Sequence, residues 1–166
     1  INTTDGQRRS HVMIVDPNGD NLWQLDPHQF LNVSHYNWIS DTEFLLTAMT
    51  RDYGFGYFLI KDKGEPSEWI RLQSPTSDGH PTLMPNDPSS ILTDSYPDRF
   101  GMQSLFFFHR YHGRQQTLAR FYSPPSFVAD RKCDLHPRVS QTGQSICVDT
   151  SHTGKRNVFV FSKLNR

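Results

Sequence analysis

Histidine is frequent in this chain, at eight of 166 residues, and three of the eight recur in matched surroundings. His35 leads a short polar segment into Phe44-Leu45-Leu46. His80 leads Pro81-Thr82-Leu83-Met84 into Ile91-Leu92-Thr93, and His136 leads Pro137-Arg138-Val139 into Ile146-Cys147. An imidazole titrates near neutral pH and ligates metals, so each of the three is a candidate for proton transfer or metal binding. Cys133 stands three residues before His136. Thiolate and imidazole at that spacing, joined by His80, make a donor set suited to a divalent ion, zinc first, with manganese and calcium as alternatives. The competing reading is architectural: a histidine opening a strand can bond a neighbouring backbone, and common repeat ancestry partly explains three at one position. Cys147 falls inside an apolar strand and reads as a packed thiol. Cys133 and Cys147 could pair, but two cysteines make no disulfide framework.

The elements that must position these groups repeat with them. The histidine spacings are 45 and 56 residues, the period of a four-stranded propeller blade with loop variation. Each copy runs from a short first strand through a polar turn to an apolar second strand, then to a third and usually a fourth. Third and fourth strands are expected at residues 57–61 and 68–72, around the turn Lys63-Gly64-Glu65-Pro66, and at 104–109 and 117–122. The last copy keeps only 158–162. Residues 12–15 and 22–25, around Asp16-Pro17-Asn18-Gly19-Asp20, read as a hairpin. Sustained helical periodicity is missing. The expected fold is therefore all-β, an open arc of about 3.5 TolB/WD40-like blades in a seven-bladed β-propeller. Residues 1–28 supply the outer two strands of a blade, 29–73 and 74–122 form whole blades, and 123–166 form a blade lacking its outermost strand. The expected partner for that open edge is an N-terminal remainder of the propeller.

In such a blade the first strand lines the central channel, so His35, His80 and His136 are expected to converge at one mouth. The loops at residues 50–54, 94–99 and 149–156 belong on that face, with the inter-blade loops ending at Ser77-Asp78-Gly79-His80 and at His136. His152 lies on it too. His11, His28, His109 and His112 fall on outer strands or turns and read as solvated. Trp23, Trp38 and Trp69 read as inter-blade packing, and Leu105-Phe106-Phe107-Phe108 as a buried strand.

Lys plus Arg and Asp plus Glu both total 17, which argues against nucleic acid as the main partner. No apolar run is long enough to cross a bilayer. The chain opens on Ile1 with no leader pattern, so its natural N-terminus is expected to lie further upstream.

Three stretches together carry a resemblance: Asp78-Gly79-His80-Pro81, Ile91-Leu92-Thr93-Asp94-Ser95-Tyr96-Pro97-Asp98, and Cys133-Asp134-Leu135-His136-Pro137-Arg138 with Thr153-Gly154-Lys155-Arg156. From about Val33 onward the chain resembles the seven-bladed propeller polysaccharide lyases, the oligogalacturonate and ulvan lyases. These cleave acidic uronate glycans by β-elimination. The resemblance implies a metal held by inner-strand histidines, at His80 and His136 here. Where oligogalacturonate lyases add a Gln and a further His, this chain has Cys133 and Arg138, which leans towards zinc and away from pectic substrates. It implies His35 as the base. In β-elimination the proton α to a uronate carboxylate is removed while that carboxylate is neutralised. Tyr53 or Tyr96 is then the expected acid, and Arg51 or Arg99 the carboxylate partner. A secreted or periplasmic location is expected. The other readings are a non-catalytic TolB-like platform binding protein or glycan, and a propeller gating a peptidase, which would require a hydrolase domain.

Overall fold

β-Branched and aromatic residues alternate with Gly, Pro, Asn and Asp turn formers along the chain, and strands form between those punctuation marks. The computed structural model describes residues 10–64, 70–71 and 78–162. Every described regular element is an antiparallel strand except one 3-10 turn at Ala129–Arg131. The chain divides into two units, Ile1–Thr76 and Ser77–Arg166.

The first unit opens with a hairpin of β1 (Met13–Ile14) and β2 (Trp23–Gln24). Its turn closes when Gly19, at φ 88°, donates its N–H to the Asp16 carbonyl at 2.8 Å. A four-stranded sheet follows in the order β3 (Phe30–Trp38), β4 (Glu43–Thr50), β5 (Gly54–Lys61), β6 (Ile70–Arg71). Phe30, Val33, Phe44, Leu46, Ala48, Phe58 and Ile60 form its core with Leu25, and Trp23 packs against them. Leu45, Tyr57 and Leu59, on the alternate face of β4 and β5, are buried as well. A strand buried on both faces reads as a nearly continuous apolar run, which is what residues 44–46 and 57–60 show.

β3 begins five residues before His35, so that histidine sits within the strand rather than at its start. Phe30 and Val33 are the cause. Both are buried, and their burial extends the pairing towards the N-terminus. His35 falls at a register shift between Val33 and Tyr36. Trp38 also departs from expectation: it is 45% exposed and meets Phe44 with centroids 5.2 Å apart. Trp69, Ser77, Glu65, Pro66 and most of the predicted strand 68–72 lie outside the described residues.

The second unit contains a four-stranded sheet of β7 (Thr82–Met84), β8 (Asp87–Asp94), β9 (Met102–His109) and β10 (Gln115–Tyr122), in that spatial order. A three-stranded sheet of β11 (Arg138–Val139), β12 (Ser145–Thr150) and β13 (Asn157–Ser162) follows. Met84, Leu92, Leu105, Phe107 and Phe121 of the first sheet pack with Leu135, Ile146 and Val148 to make one core. Burying side chains of this size contributes about 1.5–3 kcal/mol each, so this core dominates the unit's stability. Leu105 through Phe108 are all buried, as their sequence implied. The turns of the two sheets also meet. Asn86 donates from its amide to the Thr142 carbonyl, and a Cβ on Gly143 would lie 2.8 Å from Asn86 Nδ2. Among the described residues no helix is long and apolar enough to cross a membrane.

Candidate functional site

The second unit gathers its chemistry where β8 ends and the segment before β11 returns. Asp94 is the last residue of β8, and its side chain is 1% exposed. A carboxylate so deeply placed needs donors, and three converge on it. The His80 backbone N–H donates to Oδ1 at 2.7 Å and the His136 backbone N–H to Oδ2 at 3.1 Å. The His80 ring donates from Nδ1 to both oxygens at 2.9 and 3.0 Å. Because a carboxylate only accepts, this contact puts the proton on Nδ1 and makes Nε2 the basic nitrogen of His80.

His136 comes to the same place by strained backbone. Its φ is 40°, a left-handed conformation rare for a non-glycine residue. Its ring lies 3.7 Å from that of His80, centroid to centroid, tilted by 40°. Its Nδ1 donates to the Asp134 carbonyl at 3.3 Å, so here too Nε2 is the basic nitrogen. Tyr96 stands edge-on to His80 with centroids 6.0 Å apart. Lys132 Nζ lies 3.7 Å from the centre of the Tyr96 ring and 3.2 Å from Asp134 Oδ2. Burial, reinforced by the Asp78, Asp134 and Asp94 carboxylates, pushes the Tyr96 hydroxyl up to about 12. Tyr96 therefore keeps its proton throughout the neutral range.

The three repeat histidines do three different things. His80 is paired with Asp94. At the equivalent register His35 donates its backbone N–H to Thr47 Oγ1 at 3.0 Å. Beside His136 the matching acid, Asp149, is held by Arg138 in a two-pronged contact at 3.1 and 3.2 Å. Asp94 is part of the Ile91–Asp98 motif, and its role emerges only from the fold. Its signal was there, since it lies two residues beyond Leu92, the cross-strand partner of Thr82, and so faces His80.

The expected metal ligands are only partly assembled. His80 and His136 each donate Nδ1 to an oxygen acceptor, the second contact that orients most metal-bound imidazoles. Cys133 does not join them. It is 4% exposed, its carbonyl accepts from Gln103 Nε2 at 3.2 Å, and burial pushes its thiol up, against a smaller downward pull from Arg156. A neutral thiol is a poor ligand. Among the described residues no three His, Cys, Asp or Glu side chains are grouped to hold an ion. The chain thus offers two imidazole donors where the expectation had three ligands. Cys147, expected in the core, is only half-buried and accepts from Arg138 Nε at 3.4 Å; both cysteines are free.

The remaining candidates have local contacts of their own. Arg51 donates from Nε to the His28 carbonyl at 3.0 Å, and Tyr53 is 54% exposed on the β4–β5 turn. The Arg99 guanidinium lies 4.7 Å above the Phe100 ring. His152 is enclosed by Phe121 and Phe159, with centroids 5.4 and 4.7 Å away.

No protein-family model matches this sequence. No curated protein matches it at a significant level. Among solved structures the chain is similar to a TolB candidate from Agrobacterium tumefaciens, with a TM-score of 0.59 and 11% identity over 92% of this chain. The chain spans 57% of that protein's length. At this identity the likeness carries the fold alone, and the chain is accordingly an all-β protein of propeller-like, TolB-like architecture.

Proposed function

We propose that this chain is an arc of about 3.5 blades from a seven-bladed propeller that acts as a secreted or periplasmic polysaccharide lyase on uronate glycans. The observation that carries the reading is the His80–Asp94 pair with Tyr96 edge-on beside it. In the reaction His80 Nε2 accepts the proton α to the uronate carboxylate. The electron pair left behind forms the new carbon–carbon double bond, and the bond to the glycosidic oxygen breaks. Tyr96, which holds its proton at neutral pH, delivers it to that oxygen. Lys132 neutralises the substrate carboxylate as charge builds on it. Asp94 positions His80 and fixes its tautomer, and no step is routed through a metal. His35, the base implied by the family resemblance, stays a contributor to be tested beside His80.

Support for the larger propeller comes from β13, which has no outer partner strand among the described residues, and from the greater length of the TolB-like neighbour. The test of the activity is ultraviolet absorbance of unsaturated products on incubation with polygalacturonate, ulvan and alginate. Turnover lost by about 10²-fold or more in His80→Ala and Tyr96→Phe supports the assignment. Unchanged turnover in His80→Ala refutes it, and loss in His35→Ala alone returns the base to His35.

One observation favours a second reading, a non-catalytic platform. Asp94 takes backbone N–H groups from both His80 and His136, as an acid that only ties two loops together would. Absence of any lyase product, with glycan or protein binding retained, would select that reading.

A further inference from the structure

The β9–β10 turn lies at the other end of its sheet from Asp94 and holds different chemistry. Six consecutive residues, His109, Arg110, Tyr111, His112, Gly113 and Arg114, bring two guanidinium groups, two imidazoles and a phenol together without an acid among them. Gly113, at φ 62°, allows so tight a turn. Its N–H returns to the His109 carbonyl at 2.8 Å. The His109 and His112 rings stack with centroids 4.5 Å apart and planes 16° from parallel. Tyr111, 59% exposed, stands edge-on to His109 at 5.6 Å.

Arg110 lies 4.8 Å above the Tyr111 ring and donates from Nη2 to its hydroxyl at 2.6 Å. Its Nε is covered and has no partner among the described residues. Among the described residues neither Arg110 nor Arg114 pairs with a carboxylate. The acid on the neighbouring strand, Asp87, is taken up by Ser89 and Ser90. In a chain of zero formal charge this tip is a local concentration of cations set among flat rings.

We propose that this hairpin tip is a binding surface for acidic sugar residues, separate from the His80–Asp94 site. A sugar acid presents the two features the tip answers: a C–H face that packs on an aromatic plate, and a planar anion that a guanidinium grips through two parallel hydrogen bonds. Nucleic acid would call for an extended basic track rather than one turn. An anionic bilayer would call for apolar side chains flanking the cations. The surface needs no chemistry at His80, so it would serve a lyase or a platform alike by holding an acidic polymer at the rim remote from Asp94.

The test is calorimetric titration of the full chain with a short oligogalacturonate and a short sulfated oligosaccharide, in the wild-type and Lys132→Ala backgrounds. Removing each guanidinium should weaken binding about tenfold, the size of one charge-assisted contact. Arg110→Ala and Arg114→Ala should therefore act together, while Arg120→Ala, whose partner is Asp98 at 2.6 Å, should leave binding unchanged. Arg110→Lys, which keeps charge but loses the planar grip, guards against misfolding and should fall between. Wild-type affinity in the double variant, no binding to either sugar, or tighter binding of an oligonucleotide or of phosphatidylserine vesicles would each overturn the proposal. Sugar binding by a wild-type chain that forms no unsaturated product would retire the lyase and keep the tip.

Discussion

Replacing Asp94 by alanine offers the sharpest test of how the site is held. The substitution strands three donors. The His80 backbone N–H, bonded at 2.7 Å, loses its acceptor in a setting where the acid is 1% exposed. Such an unpaired group costs about 1–3 kcal/mol. The His80 ring is 11% exposed, so its Nδ1–H is only partly recovered by water. The His136 N–H belongs to an exposed residue and recovers most. The sum is about 3 kcal/mol, which for a domain of this size lowers Tm by about 6–12 °C. Asp94→Asn should behave similarly, because its amide nitrogen would face an N–H donor. Urea and thermal unfolding followed by circular dichroism measure the loss. Nitrogen NMR of the imidazoles adds a second readout: the proton on His80 Nδ1 should redistribute to Nε2 once the carboxylate is gone. A loss below about 1 kcal/mol, or an unaltered tautomer, would show that Asp94 neither clamps the loops nor orients the ring.

Three more expectations use the same reasoning. Tyr96 should ionise near 12 by absorbance at alkaline pH, and because its folded value is raised above the ordinary 10, stability should fall as pH rises from 10 towards 12. With its thiol buried and pushed upward, Cys133 should resist alkylation in the folded protein while the half-buried Cys147 reacts, and mass spectrometry should find one label until denaturant is added. Gly143→Ala should cost about 1–3 kcal/mol, from its φ of 68° and the contact with Asn86. Asn86→Ala in the same chain should return part of that loss; full additivity of the two would refute the contact.

The strands were legible wherever their burial pattern was local. Residues 104–109 and 158–162 read as strands because apolar and aromatic residues run together there, and β9 and β13 extend them by only two residues and one. The start of β3 was not legible, since Phe30 and Val33 are buried by tertiary packing that a His-led repeat does not reveal. At the site, His80, His136 and Tyr96 were named and are adjacent. Two histidines on successive repeats come together because the repeat itself sets their place. Cys133 lies apart from them for the opposite reason. Its spacing from His136 suited a metal, but the loop turns its thiol inward, a choice made by Gln103 and Arg156 far along the chain. Lys132 and the His109–Arg114 tip carried no repeat signal, and only the folded loops bring their charges beside rings.

The contact between Asn86 and Gly143 has a consequence for how repeats of unequal length share one architecture. It joins the tip of the β7–β8 turn to the tip of the β11–β12 turn and so gauges the distance between successive sheets at that rim. Added residues have no room there. The longer second repeat instead lengthens its connections at the opposite rim, in the loop between β8 and β9 and in the segment between β10 and β11, where Arg156 holds the carbonyls of Arg131 and Lys132. Extending a loop costs little closure entropy. A tight rim and a loose rim thus divide the labour: one keeps the sheets in step, and the other is free to vary its length and, with it, the groups set around Asp94.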